Sequence, residues 1–272
     1  MPSTSEFLAV AASLAVAGGL TFASPTPEPT PAPAPIAPQG YLGERAPDTI
    51  AILPPAPKAG SPVAQADRRI FLATRALRGR PRWTLAINDV AQSPSAMLKD
   101  FGCALGVEVT PETAPKVVNV MRRAGRDIGP AVNRPKDLYN RQRPYLIDDG
   151  EICVPKSDSL AKSPDYPSGH ATWGWMWGLI LAEMAPDRAG PILARARAYG
   201  ESRAVCGVHN ASSVDAGRTN ASALVAALHG EAEYRADVEA GRAELAALRA
   251  APGAPPPTNC EAEAALIAKT PW

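Results

Sequence analysis

The chain is expected to fold as a single-domain, all-α helical bundle, and three features of the sequence carry that expectation. Apolar residues recur at three- and four-residue intervals through most of its length. The stretch from Ala221 to Arg249 is rich in Ala, Leu, Glu and Arg, all strong helix formers. No alternating strand pattern and no hairpin signal occurs.

Taken in chain order, residues 1–23 read as a secretory signal peptide. Phe7 to Ala23 is an almost uninterrupted apolar run, followed by Ser24 and a Pro-rich tract. The residues before it carry Glu6 and no Lys or Arg, which departs from the usual positive start of a signal. The run includes Gly18 and Gly19 and is short for a bilayer core that needs about 20 residues. A periplasmic or secreted protein without stable membrane insertion is therefore expected. Residues 24–66 read as a Pro-rich arm or linker, because alternating prolines lack donors and favour extended, solvated backbone.

The folded region is expected over residues 67–250, beginning where Ile70, Phe71, Thr74 and Leu77 give helical spacing. Thr110 offers an N-cap with Pro111 at the first helical position, and Val117, Met121, Ala124 and Ile128 share one face of the helix that follows. Ala171 to Met184 reads as a buried helix that stops at Pro186. Trp173 and Trp177 within it are one turn apart, as core packing requires. Ile192, Leu193, Ala196 and Tyr199 mark the next helix, and Gly230 and Gly241 are the expected breaks in the last. Residues 251–272 form a second Pro-rich tail.

A formal net charge of +1 argues against a nucleic-acid partner, so any cationic site has to be local. The four cysteines, Cys103, Cys153, Cys206 and Cys260, suit two disulfides in an oxidising compartment, with three pairings open. No two of them lie close enough in sequence to suggest a zinc site.

Chemistry concentrates in three short stretches. Lys136 and Arg143 are seven residues apart, which on a helix puts both charges on one side, and Pro144 then ends that helix. Pro167-Ser168-Gly169-His170 immediately precedes the apolar helix, whose N-terminus presents free N–H groups and partial positive charge to an anion. Ser202-Arg203 and His209 make the third, with a planar guanidinium suited to phosphate oxygens. Two of the chain's three histidines fall in these stretches; His229 lies outside them and reads as structural or surface. Hydrolysis of a phosphate monoester needs cations for the phosphoryl oxygens, an in-line nucleophile and a proton for the leaving oxygen. Three cations and two imidazoles meet those needs without a metal or other cofactor.

In these three blocks the chain resembles the class A bacterial nonspecific acid phosphatases of the type-2 phosphatidic acid phosphatase and vanadium haloperoxidase superfamily. Their pattern K-x6-R-P, P-S-G-H, S-R-x5-H-x3-D is matched in order, and similarity continues through Leu53 to Pro57, Gly79 to Trp83 and Val214 to Arg218. The resemblance implies a bundle of the type-2 phosphatidic acid phosphatase kind and a metal-independent, periplasmic enzyme acting on small phosphomonoesters. It implies that His209 attacks phosphorus to give a phosphohistidine and that His170 protonates the leaving group. Lys136, Arg143, Ser168, Gly169 and Arg203 would hold the phosphoryl oxygens. A Cys153–Cys206 bridge tying the loop after Pro144 to the site is the preferred pairing, leaving Cys103 with Cys260. Homo-oligomerisation stays open.

One position departs from the pattern. The family aspartate that orients the nucleophilic histidine is Ser213 here, and Asp215 lies on another side of any helix through this segment. Weakened turnover is the expected consequence, with Ser213→Asp raising it. A phosphate-binding pseudoenzyme is the competing reading, and a vanadate-dependent haloperoxidase the third.

Overall fold

The computed structural model describes residues 39–272, and all regular structure among them is helical. Serine followed by proline starts two of the helices, because a hydroxyl can accept from an otherwise unpaired amide and proline has none to lose. Ser61 accepts from the Ala64 N–H ahead of α2 and Ser93 from the Ala96 N–H ahead of α4, with Pro62 and Pro94 at the first helical position. In order, the helices are α1 (Thr49–Ile52), α2 (Pro62–Thr74), α3 (Pro81–Asn88), α4 (Pro94–Leu105), α5 (Pro115–Tyr139) and α6 (Asp158–Lys162). They continue with α7 (Gly169–Met184), α8 (Ala189–Val205), α9 (Ala211–Leu228), α10 (Ala232–Ala250) and α11 (Cys260–Ile267).

The central helix is α7, which packs on α8, α9, α5 and α10. It is apolar nearly all round, as a helix buried on every side must be. Trp177, Ile180, Leu181 and Met184 bury there with Val117, Met121, Leu224 and Tyr234 from the surrounding helices. Trp173 packs at 6.0 Å from Trp177 between ring centroids, so the pair belongs to the core. Both disulfides form, Cys153–Cys206 and Cys103–Cys260.

The structure corrects the sequence expectation at five places. The arm is packed where it is described: Asp127 of α5 accepts from the N–H groups of Tyr41, Leu42 and Gly43 at 3.0, 3.2 and 3.4 Å. Tyr41 and Leu42 are consequently core residues, and helix precedes Asp67, as α1 over Thr49–Ile52 and as α2 from Pro62. The C-terminal tail carries α11, held by Cys260 to Cys103. Thr110 does not cap α5; its hydroxyl and that of Thr113 satisfy each other and a local turn, and Pro115 opens the helix. Gly241 sits inside α10, where any Cβ would lie 2.7 Å from Met184 Cε, so it serves close packing rather than a break. Lys136 and Arg143 do not share a helix, because Asn140 turns left-handed (φ 39°) and ends α5 before Arg143. The signal peptide expected over residues 1–23 lies outside the described residues.

The approach of α9 to the start of α7 depends on Gly217. A Cβ there would fall 2.6 Å from the Ser168 carbonyl oxygen and 3.0 Å from the Thr172 nitrogen. Backbone cannot yield as a side chain can. Gly217→Ala is expected to destabilise the protein by about 1–3 kcal/mol, which chemical denaturation checks.

Candidate active site

Six of the expected site residues arrive from helix ends that converge. Lys136 lies in the last turn of α5, Arg203 in the last turn of α8, and Ser168, Gly169 and His170 at the start of α7. Ser213 is in the first turn of α9, while Arg143 and His209 lie on connecting segments. The turn carrying His209 is fixed from several sides. Arg75 donates to the Ala204 and Val205 carbonyls at 3.1 and 2.6 Å, closing the C-terminal end of α8. The Cys153 N–H donates to the Cys206 carbonyl beside their disulfide, and Arg143 donates to the Val208 carbonyl at 2.7 Å.

Three cations are buried together, and among the described residues none of them has a carboxylate partner. Lys136 donates to the Pro164 carbonyl at 2.5 Å and to Ser163 Oγ at 3.2 Å. Arg143 donates to the Ser163 carbonyl at 2.7 Å. Arg203 is 4% exposed, and its Nε and Nη1 have no hydrogen-bond partner among the described residues. Burial, helped by the Arg143 charge, pulls Lys136 down to about 8, and burial pulls Arg203 down to about 10. Both remain charged in acid. A buried cation without a counter-charge is costly, a cost that an anion bound against this cluster would offset. Ser168 Oγ caps α7 by accepting from the Ala171 N–H, which leaves its own proton to donate. Ser202, adjacent to Arg203, turns the other way: its hydroxyl donates to Asp89 and accepts from Arg82, so it buttresses α8.

The two imidazoles are held in defined tautomers by their partners. Arg143 Nη1 lies 3.1 Å from His209 Nε2, which must therefore accept. Nδ1 carries the proton, 2.8 Å from the Asp165 carbonyl and 3.0 Å from Asp165 Oδ1. His170 Nε2 donates to the Val90 carbonyl at 3.0 Å, so in the neutral ring Nδ1 is the unprotonated nitrogen. Burial lowers His209 to about 3, aided by Arg143 and opposed by Asp165. Burial and then Arg203 push His170 well below the usual histidine range, and His209 and Arg143 add to the lowering.

Asp165 is the residue that sequence reasoning missed. It is fully buried; burial alone would raise its carboxyl, but His209, Arg141 and the Ser213 hydroxyl outweigh that and hold it below the usual range. Asn210 donates to it through its backbone at 3.1 Å and its side chain at 2.8 Å, and Ser213 Oγ donates at 2.6 Å. Arg141 stands 3.5 Å from Oδ2. Ser213 reaches the histidine only through this carboxylate. Asp215 points away, pairing with Arg218 on the surface, and His229 pairs with Glu183.

Comparison with known proteins places this arrangement. The family model for the PAP2 superfamily matches residues 128–235, which hold every block of the site. An acid phosphatase of Zymomonas mobilis is 41% identical over 217 residues, covering 79% of this chain and 82% of that protein. The chain belongs to the PAP2 superfamily. Non-specific acid phosphatases of Providencia stuartii, 34% identical over 77% of this chain and 86% of theirs, and of Salmonella typhimurium, 33% identical over 61% and 67%, are further relatives. Within this superfamily the chain groups with proteins named as acid phosphatases.

Removing the unpartnered guanidinium should cost anion affinity before anything else. Arg203→Ala is expected to weaken competitive inhibition by inorganic phosphate at least tenfold, about 1.4 kcal/mol, with the thermal midpoint unchanged or raised. Inhibition constants and melting curves check the pair of outcomes.

Proposed function

We propose that this protein is an acid phosphatase that hydrolyses small phosphate monoesters through a phosphohistidine on His209. One observation carries the reading: three buried cations without a carboxylate partner among the described residues share a site with two imidazoles whose tautomers are fixed by their hydrogen bonds. The PAP2 relatives named acid phosphatases support the same activity.

Lys136, Arg143, Arg203, Ser168 and the free N–H groups at the start of α7 take the phosphoryl oxygens. Arg143 passes from His209 Nε2 to those oxygens as the ester arrives, which frees the nitrogen lone pair. Nε2 then forms the N–P bond as the P–O bond to the leaving group breaks, and His170 Nδ1 gives that oxygen its proton. In the second half, His170 takes a proton from water as its oxygen attacks phosphorus and the N–P bond breaks, releasing phosphate. His170 must be protonated for the first half, and the bound anion offsets the burial and Arg203 charge that keep it neutral in the free protein.

Acidic working conditions follow from the signs of these shifts. His209, lowered to about 3, stays neutral and nucleophilic far into acid, while His170 becomes harder to protonate as pH rises. Export to the periplasm or beyond is consistent with the two disulfides, and no described helix is long and apolar enough to cross a membrane.

Two expected outcomes check the reading. p-Nitrophenyl phosphate should be hydrolysed in the presence of EDTA and not by His209→Ala; a folded wild-type protein that binds phosphate without turnover would make it a pseudoenzyme. The acid limb of kcat/KM should fall near pH 3, where His209 takes up a proton, rather than near 6.5, which pH profiles from 2.5 to 8 would show.

A further inference from the structure

We propose that Asp165 is the positioning carboxylate of His209, supplied from the segment before α7 in place of the residue at 213, and that Ser213 holds this carboxylate instead of the ring. The inference rests on His209 being the nucleophile.

The geometry separates two jobs that a single side chain would otherwise share. The Asp165 backbone carbonyl, 2.8 Å from Nδ1, is enough to fix the tautomer. Oδ1, 3.0 Å from the same nitrogen, adds a negative charge facing the ring as it becomes cationic on phosphorylation. Ser213 Oγ and Asn210 Nδ2 both bind Oδ2, and the Asn210 N–H binds Oδ1, so the carboxylate plane cannot rotate away. Its charge is not consumed by a direct cation at hydrogen-bond distance, since Arg141 stands at 3.5 Å and bonds to Asp67 at 2.8 Å instead. The carboxylate that the motif lacks at 213 is therefore present in space, one hydrogen bond away.

This reverses the expectation that Ser213→Asp raises turnover. With Ser213 Oγ 2.6 Å from Asp165 Oδ2, a carboxylate at 213 would face another carboxylate in a dry site. Two such groups cannot both stay ionised, so one would be protonated or displaced.

The experiment measures kcat and KM for p-nitrophenyl phosphate in wild type, Asp165→Asn, Ser213→Asp and the combined Asp165→Ser/Ser213→Asp, with His209→Ala as control. Asp165→Asn is expected to lower kcat about 100-fold or more, less than the ~10⁴ that accompanies loss of the tautomer as well, with KM within about threefold because no phosphate contact is lost. Ser213→Asp should also lower kcat, and the combined variant should exceed both single variants because it restores one carboxylate and one hydroxyl. Wild-type kcat in Asp165→Asn, or a raised kcat in Ser213→Asp, overturns the inference, and the second comparison decides if Asp165→Asn fails to fold. If His209→Ala retains turnover, the phosphohistidine reading has failed separately. The proton NMR resonance of His209 Nδ1–H then still tests the contact: it should move upfield in a folded Asp165→Asn, and an unmoved resonance overturns the contact.

Discussion

A carboxylate with no access to water has to be satisfied on both oxygens, and Asp165 is satisfied by groups from separate segments. His209 and Asn210 reach it from the turn after α8, Ser213 from α9, and Arg141 from the segment after α5. Arg141 in turn pairs with Asp67 of α2, which also accepts from the Ser212 N–H and hydroxyl. Two buried aspartates thus clamp α2, α9 and the loops on either side of α6 into one unit. Breaking one partner of such a network costs about 3–5 kcal/mol, so the geometry around His209 is maintained by the same contacts that hold those segments together.

On the opposite side of the imidazole the balance of charge is left open. Lys136 and Arg143 spend hydrogen bonds on carbonyl oxygens of the Ser163–Pro164 loop, and Arg203 has two donors without a partner among the described residues. Burial strengthens every interaction these cations make with an incoming anion and penalises them until it arrives. The histidines respond to the same field. Both are kept neutral by burial and cationic neighbours, which suits a nucleophile at once and suits an acid only after an anion has entered. In the proposed reaction, substrate binding and protonation of His170 would be one event.

Much of this was legible in the sequence, and the parts that were not share a cause. Val117, Met121, Ala124 and Ile128 announced α5 by period, and the blocks around Lys136, His170 and Arg203 announced the site by residue type. Asp165 carries no such signature, because it acts across a contact between two irregular segments 44 residues apart, where neither period nor spacing exists. The same holds for Tyr41 and Leu42, hidden in a Pro-rich tract and buried in the core where Asp127 accepts from their amides. Composition described the backbone there correctly as donor-poor around the prolines and missed the three donors that matter. Ser213 looks like a loss in the sequence for a related reason: a linear motif records which residue stands at a position and not which charged neighbour faces it in space.

The most direct test of the account is whether phosphorus becomes bonded to His209. Incubating the protein with inorganic phosphate labelled with ¹⁸O in ordinary water, and following the label by mass spectrometry, reads that step without a leaving group. Reversible formation of a phosphohistidine predicts progressive loss of label in wild type and none in His209→Ala. Full retention of label in a protein that turns over p-nitrophenyl phosphate and binds phosphate would contradict a covalent route and point to direct attack by water.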